Sequence, residues 1–161
     1  MKIPVVFLLF IALVIGGCSE PTSHKVVQVS FSELKPLLER DNDTVYVVNF
    51  WATWCKPCLE ELPAFERVNL EYGDRAVKVL LVSLDFPSRY EDQLIPFVST
   101  NEIKSKVLHL TDINANAWID KVDPSWSGAI PATIIYKGTD RSFYEKKLSY
   151  QELVQLIENK L

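Results

Sequence analysis

Two cysteines separated by two residues, Cys55-Lys56-Pro57-Cys58, stand between an apolar run and a helical pattern, and this junction constrains the fold more than any other feature of the chain. The preceding run, Val45 to Trp51, reads as a buried strand. Beyond Cys58, Leu62, Phe65 and Tyr72 recur at helical spacing. Cys55 therefore sits where a strand hands over to a helix N-terminus. Unpaired backbone N–H groups and the helix dipole stabilise a thiolate there, so its pKa should fall below that of a free thiol. An accessible thiolate with a second thiol one turn further on is the minimum machinery for thiol–disulfide exchange.

The segment Asn49-Phe50-Trp51-Ala52-Thr53-Trp54-Cys55-Lys56-Pro57-Cys58-Leu59-Glu60-Glu61-Leu62-Pro63 resembles the active-site segment of the thioredoxin superfamily. Within it, the nearest likeness is to the extracytoplasmic TlpA/ResA-like thiol–disulfide oxidoreductases. A second signature, Gly128-Ala129-Ile130-Pro131-Ala132-Thr133, resembles the cis-proline loop that faces the cysteine pair in that fold. The likeness covers roughly Val26 to Leu161. It implies an α/β thioredoxin-like fold: a mixed central sheet flanked by helices, with a TlpA-type helical insertion between Ser83 and Val107.

A chain of 161 residues, 48% hydrophobic and 24% charged, suffices for one domain with a core. A net charge of -4 and the lack of any basic run argue against a nucleic-acid partner. At the start, Lys2 precedes an apolar run from Val5 to Ile15. That run is shorter than the ~20 apolar residues of a spanning helix and has the form of a signal peptide. Ile15-Gly16-Gly17-Cys18 resembles a bacterial lipobox, in which Cys18 becomes the lipid-modified first residue. An uncleaved anchor and a plain secretory peptide stay open as alternatives. The resulting division is a signal peptide over 1–17, a tether over 18–25 and a thioredoxin-like domain over 26–161. With Cys18 acylated, Cys55 and Cys58 are the only thiols left, and a lone CxxC in an oxidising compartment points to catalysis.

Along the domain, Val26 to Val29 reads as a strand. Ser30 and Glu33 form a capping-box pair opening a helix that ends near Arg40. Val77 to Leu84 reads as a strand buried on both faces. A helix is expected from Pro87 to about Val98, a strand over Val107 to Leu110 and a helix from Asn114 to Lys121. Ala132 to Lys137 and Ser142 to Leu148 should form a hairpin around Gly138-Thr139-Asp140. Ser149 and Glu152 cap the last helix, and Pro63 is expected to kink the active-site helix.

The resemblance assigns roles to individual residues. Cys55 is the nucleophile and Cys58 the resolving thiol, while Lys56 and Pro57 tune the pair. Ile130 and the cis Pro131 present backbone to an extended substrate. Glu61, three residues after Cys58 and so on the same helix face, is placed to manage the Cys58 proton; the alternative is a solvent-exposed acid that favours the N-terminal half of the helix, a role Glu60 fills equally well. Asn49 stands where cytoplasmic thioredoxins carry a titrating Asp. Trp54 and Trp126 are expected on the rim of a substrate groove, and Trp51 in the core. No cofactor beyond the cysteine pair is expected. A zinc site would need further ligands, and His24 and His109 are not at ligand spacing. The implied partners are a protein disulfide substrate, a membrane thiol transporter of the CcdA or DsbD kind as electron donor, and the membrane itself through the lipid. Two rivals come from other classes. One is a non-catalytic peptide- or metal-binding lipoprotein of the same fold. The other is a peroxiredoxin-like peroxide reductase, which would need Thr or Ser where Ala52 stands.

Overall fold

The computed structural model describes residues 26–161. The expected signal peptide, Cys18, the tether and His24 lie outside the described residues. Among the described residues six strands make one sheet: β1 (Val27–Val29), β2 (Val45–Trp51), β3 (Val77–Ser83), β4 (Lys106–Leu110), β5 (Ala132–Lys137) and β6 (Asp140–Tyr144). Their spatial order is β1-β4-β3-β2-β5-β6. The first four run parallel, whereas β5 is antiparallel to both β2 and β6. The expected mixed sheet is therefore present.

Strand alternation divides the core into two layers. Val45, Val47 and Trp51 of β2 point to the face covered by α2 (Lys56–Tyr72) and α5 (Tyr150–Glu158), which contribute Leu62, Phe65, Val68, Leu153 and Ile157. Tyr46, Val48 and Phe50 point to the other face. There they meet Phe31 and Leu34 of α1 (Phe31–Leu34), together with Trp118 and Val122 at α4 (Ile119–Val122). Asn49, an odd position of β2, consequently faces α2. Among the described residues no helix is long and apolar enough to cross a membrane.

Both expected capping boxes form. The Glu33 carboxylate accepts the N–H and hydroxyl of Ser30, and Glu152 does the same at Ser149. Helix lengths depart from the apolar pattern for local reasons. The first helix gives way to a 3-10 turn at Lys35–Leu37, where Pro36 has no N–H to donate. The helix expected from Pro87 is a composite: a 3-10 turn at Pro87–Arg89, a π-turn at Tyr90–Leu94, then α3 (Ile95–Thr100). Pro96 lacks the donor, and its ring crowds the carbonyl four residues earlier; the wider turn relieves both faults. The stretch expected to be helical from Asn114 splits at Trp118 into a 3-10 turn (Ala115–Ala117) and α4. There the indole is buried and its N–H donates to the Asp112 carbonyl.

The second hairpin strand ends at Tyr144 rather than Leu148. The two residues beyond it that matter most are drawn off elsewhere. Glu145 bonds the loop before Pro131, and the Leu148 N–H donates to Glu61.

Candidate active site

The chain leaves β2 through Ala52, Thr53 and Trp54 and enters α2 at Lys56. The Cys55 N–H closes this turn on the Ala52 carbonyl at 3.1 Å. Cys55 is the N-cap residue of α2, and its Sγ accepts the Cys58 N–H at 3.3 Å. The two cysteines are joined as a disulfide. Cys55 retains 5% of its surface and Cys58 none, so the outer and inner sulfurs are as the helix position dictates. Once the bond is reduced, a thiolate at Cys55 faces the same N–H and the positive end of a 17-residue helix, which favours the charged form. Lys56 and Pro57 are exposed on the first turn.

A buried carboxylate that sequence reasoning missed holds the turn. Asp85, two residues beyond β3, accepts the N–H and hydroxyl of Thr53 and the hydroxyl of Ser83. Its own carbonyl accepts the Nε2–H of His109 at 2.9 Å, and the Tyr90 ring stacks on that imidazole. His109 is thus a satisfied core histidine. A signal for Asp85 was available. An acid directly after an apolar strand has to find donors at the strand end, and the neighbouring parallel strand ends at the cysteine turn.

On the α2 face of the sheet, Glu61 is 2% exposed. Its Oε1 accepts from Asn49 Nδ2 at 2.7 Å and its Oε2 from the Leu148 N–H at 2.8 Å. Burial pushes its carboxyl up to about 7, against the opposing pull of the Leu148 N–H, the Asn49 amide and the Lys147 charge. Glu60 points the other way and pairs with Lys147 on the surface. Of the two acids, only Glu61 lies inside the protein. Asn49 also donates to the Thr133 hydroxyl directly across the β2–β5 pair, at 3.1 Å.

Facing the cysteines, the Ile130–Pro131 peptide bond is cis, and the Ile130 carbonyl oxygen lies 3.7 Å from Cys55 Sγ. Trp54 is 55% exposed beside the pair. Trp126 does not join it on the rim. It is 4% exposed, its ring 4.8 Å from Phe50 and 5.7 Å from Trp118, and its indole N–H donates to the Ala129 carbonyl. A ring with three aromatic neighbours buries more apolar surface inward than a rim position allows, and its one polar atom finds a partner within the same loop. The structure therefore brings together Cys55, Cys58 and Ile130, with Pro131 behind Ile130 and Glu61 behind the helix. It leaves Trp126 as scaffold.

Residues 22–139 match the family described as AhpC/TSA. The chain belongs to that family. Two curated relatives agree. The thioredoxin-like protein YneN of Bacillus subtilis is 41% identical over 64 residues, 38% of this chain and 36% of that protein. The thiol-disulfide oxidoreductase ResA of Oceanobacillus iheyensis is 36% identical over 77 residues, 48% of this chain and 35% of that protein. The chain thus spans about a third of the length of these relatives. Among solved structures, a thiol:disulfide interchange protein of Chlorobium tepidum superposes with a TM-score of 0.62 at 20% identity, covering 78% of this chain and 83% of that one. The chain is thus an AhpC/TSA-family protein with a thioredoxin-like fold and a CxxC disulfide, and it resembles ResA over part of its length.

Proposed function

We propose that the chain reduces protein disulfides in the cell envelope through Cys55 and Cys58. The observation that carries this reading is the disulfide at the N-terminus of α2, with Cys55 keeping a small exposed fraction and Cys58 wholly buried. In the reduced protein the Cys55 thiolate attacks a substrate disulfide, forming a mixed disulfide and releasing one substrate thiolate. Cys58 then attacks Cys55 Sγ, the mixed disulfide breaks, and the second substrate thiol leaves. Two electrons pass to the substrate and the Cys55–Cys58 bond is restored. Glu61, with its carboxyl near 7, takes the Cys58 proton during that second step. Ile130 offers its backbone to the substrate chain, and Trp54 offers an apolar surface beside the attacking sulfur.

Tethering through lipid on Cys18, reduction of apocytochrome c thiols before haem attachment, and resupply of electrons by a CcdA- or DsbD-type transporter complete the reading. They rest on the lipobox resemblance and the likeness to ResA. The peroxide-reductase alternative has Ala52 against it, since no hydroxyl stands three residues before Cys55.

A trapping experiment tests the exchange. Chemically reduced full chain should cleave a disulfide-linked polypeptide such as insulin, and Cys58→Ser should accumulate as a covalent adduct through Cys55. Cleavage retained by Cys55→Ser would reject the mechanism, and failure of the reduced wild-type chain to cleave would favour a binding role.

A further inference from the structure

The loop entering the cis bond is held from outside by one side chain. Glu145, just past the end of β6, turns its carboxylate onto residues 127–129. It accepts the Ser127 N–H at 3.2 Å, the Ala129 N–H at 3.0 Å and the Ser127 hydroxyl. From the inner side the buried Trp126 indole holds the Ala129 carbonyl at 2.8 Å. Gly128, between the two anchored residues, has φ +94° and its Cα facing Ile119, so the loop follows a path that a side chain would strain. The next residue is Ile130, whose carbonyl stands 3.7 Å from Cys55 Sγ. Any polypeptide disulfide-bonded to Cys55 has to run past that backbone. Three bonds accepted by one carboxylate, two of them from backbone N–H groups, fix where it lies.

We propose that Glu145 is the positioning residue that sets the Ile130 backbone for polypeptide disulfides, so that substrate selection is controlled from the β6 end rather than from the cysteine loop. This rests on the exchange reaction proposed above and adds a division between substrates. A polypeptide needs the Ile130 backbone in register, whereas a small disulfide needs only the Cys55 sulfur. The carboxylate is drawn below its ordinary range by the Ser127 hydroxyl and the two backbone N–H groups, so it stays charged at neutral pH.

The test compares two substrates with the reduced full chain: a disulfide-bonded peptide and hydroxyethyl disulfide. Glu145→Ala should raise KM for the peptide about tenfold with little change in kcat, the scale expected for losing charge-assisted bonds. It should leave the rate with hydroxyethyl disulfide and the reduction potential unchanged. Glu145→Gln, which keeps one acceptor oxygen, should recover part of the loss, and Ser127→Ala, which leaves both N–H bonds in place, should lose far less. An equal loss on both substrates, or none on either, would overturn the proposal. A wild-type chain that exchanges with neither substrate would reject the redox reading itself, and this proposal with it.

Discussion

Glu61 is the residue whose chemistry depends most on its surroundings. In the unfolded chain its carboxyl titrates near the usual ~4.3, and in the fold near 7 because burial disfavours the charge. Between those values the folded state holds a proton that the unfolded state has released. Stability from this group is therefore fully present below about 4.3 and falls as pH rises to about 7, by up to about 3 kcal/mol. Urea midpoints of the oxidised protein should decline over that window, and Glu61→Gln should flatten the decline. A decline that persists in the variant would place the titrating group elsewhere. Asn49→Leu removes a donor that favours the carboxylate and should move the Glu61 midpoint above 7, readable from the side-chain carboxyl resonance. Helix spacing singles out Glu61, three residues after Cys58, but does not say whether its carboxylate is buried or turned to solvent. The Leu148 N–H, 87 positions away, decides between the two.

At the scale of elements, the cysteine turn is anchored from β3 by Asp85, and the last helix by its N-cap. Asp85→Ala strands the Thr53 N–H and the Ser83 hydroxyl in a buried place and should cost about 2 kcal/mol or more, each unmade buried bond costing ~1–3 kcal/mol. It should also speed hydrogen exchange at Thr53 and Cys55. Unchanged exchange there would show that the turn holds itself. Ser149→Ala removes one half of a capping box and should cost about 1 kcal/mol. Elements with an uninterrupted pattern were legible: β2, α2, β3 and α5 lie where apolar spacing and caps put them. Boundaries set by proline were less so. The 3.6-residue periodicity of the stretch after Pro87 survives the change from 3-10 to π to α, and only the carbonyl clash at Pro96 reveals it.

Over the whole molecule, the site is assembled from segments far apart in sequence, and that is what limits its legibility. Cys55 and Cys58 announced themselves by spacing, and Pro131 by its surrounding signature. Glu145 did not, since a single acid beside a strand looks like any solvated acid until the sheet order places it, and Asp85 carried only the weak signal of an acid just beyond an apolar strand. Trp126 was misplaced for the same reason: its neighbours Phe50, Trp118 and Phe143 come from three other segments. The β1-β4-β3-β2-β5-β6 order puts β2 in the interior of the sheet, so the reactive turn emerges from the best-supported strand while Trp54 remains at the surface. This combination suits a pair that repeatedly opens and closes without disturbing the core. The most direct test is the reduction potential of the Cys55–Cys58 pair, obtained by equilibrating the protein with thiol buffers of known poise. A reductant of protein disulfides predicts a value below about -220 mV, and a value near about -120 mV, that of a strong oxidant, would contradict the proposed direction of electron flow.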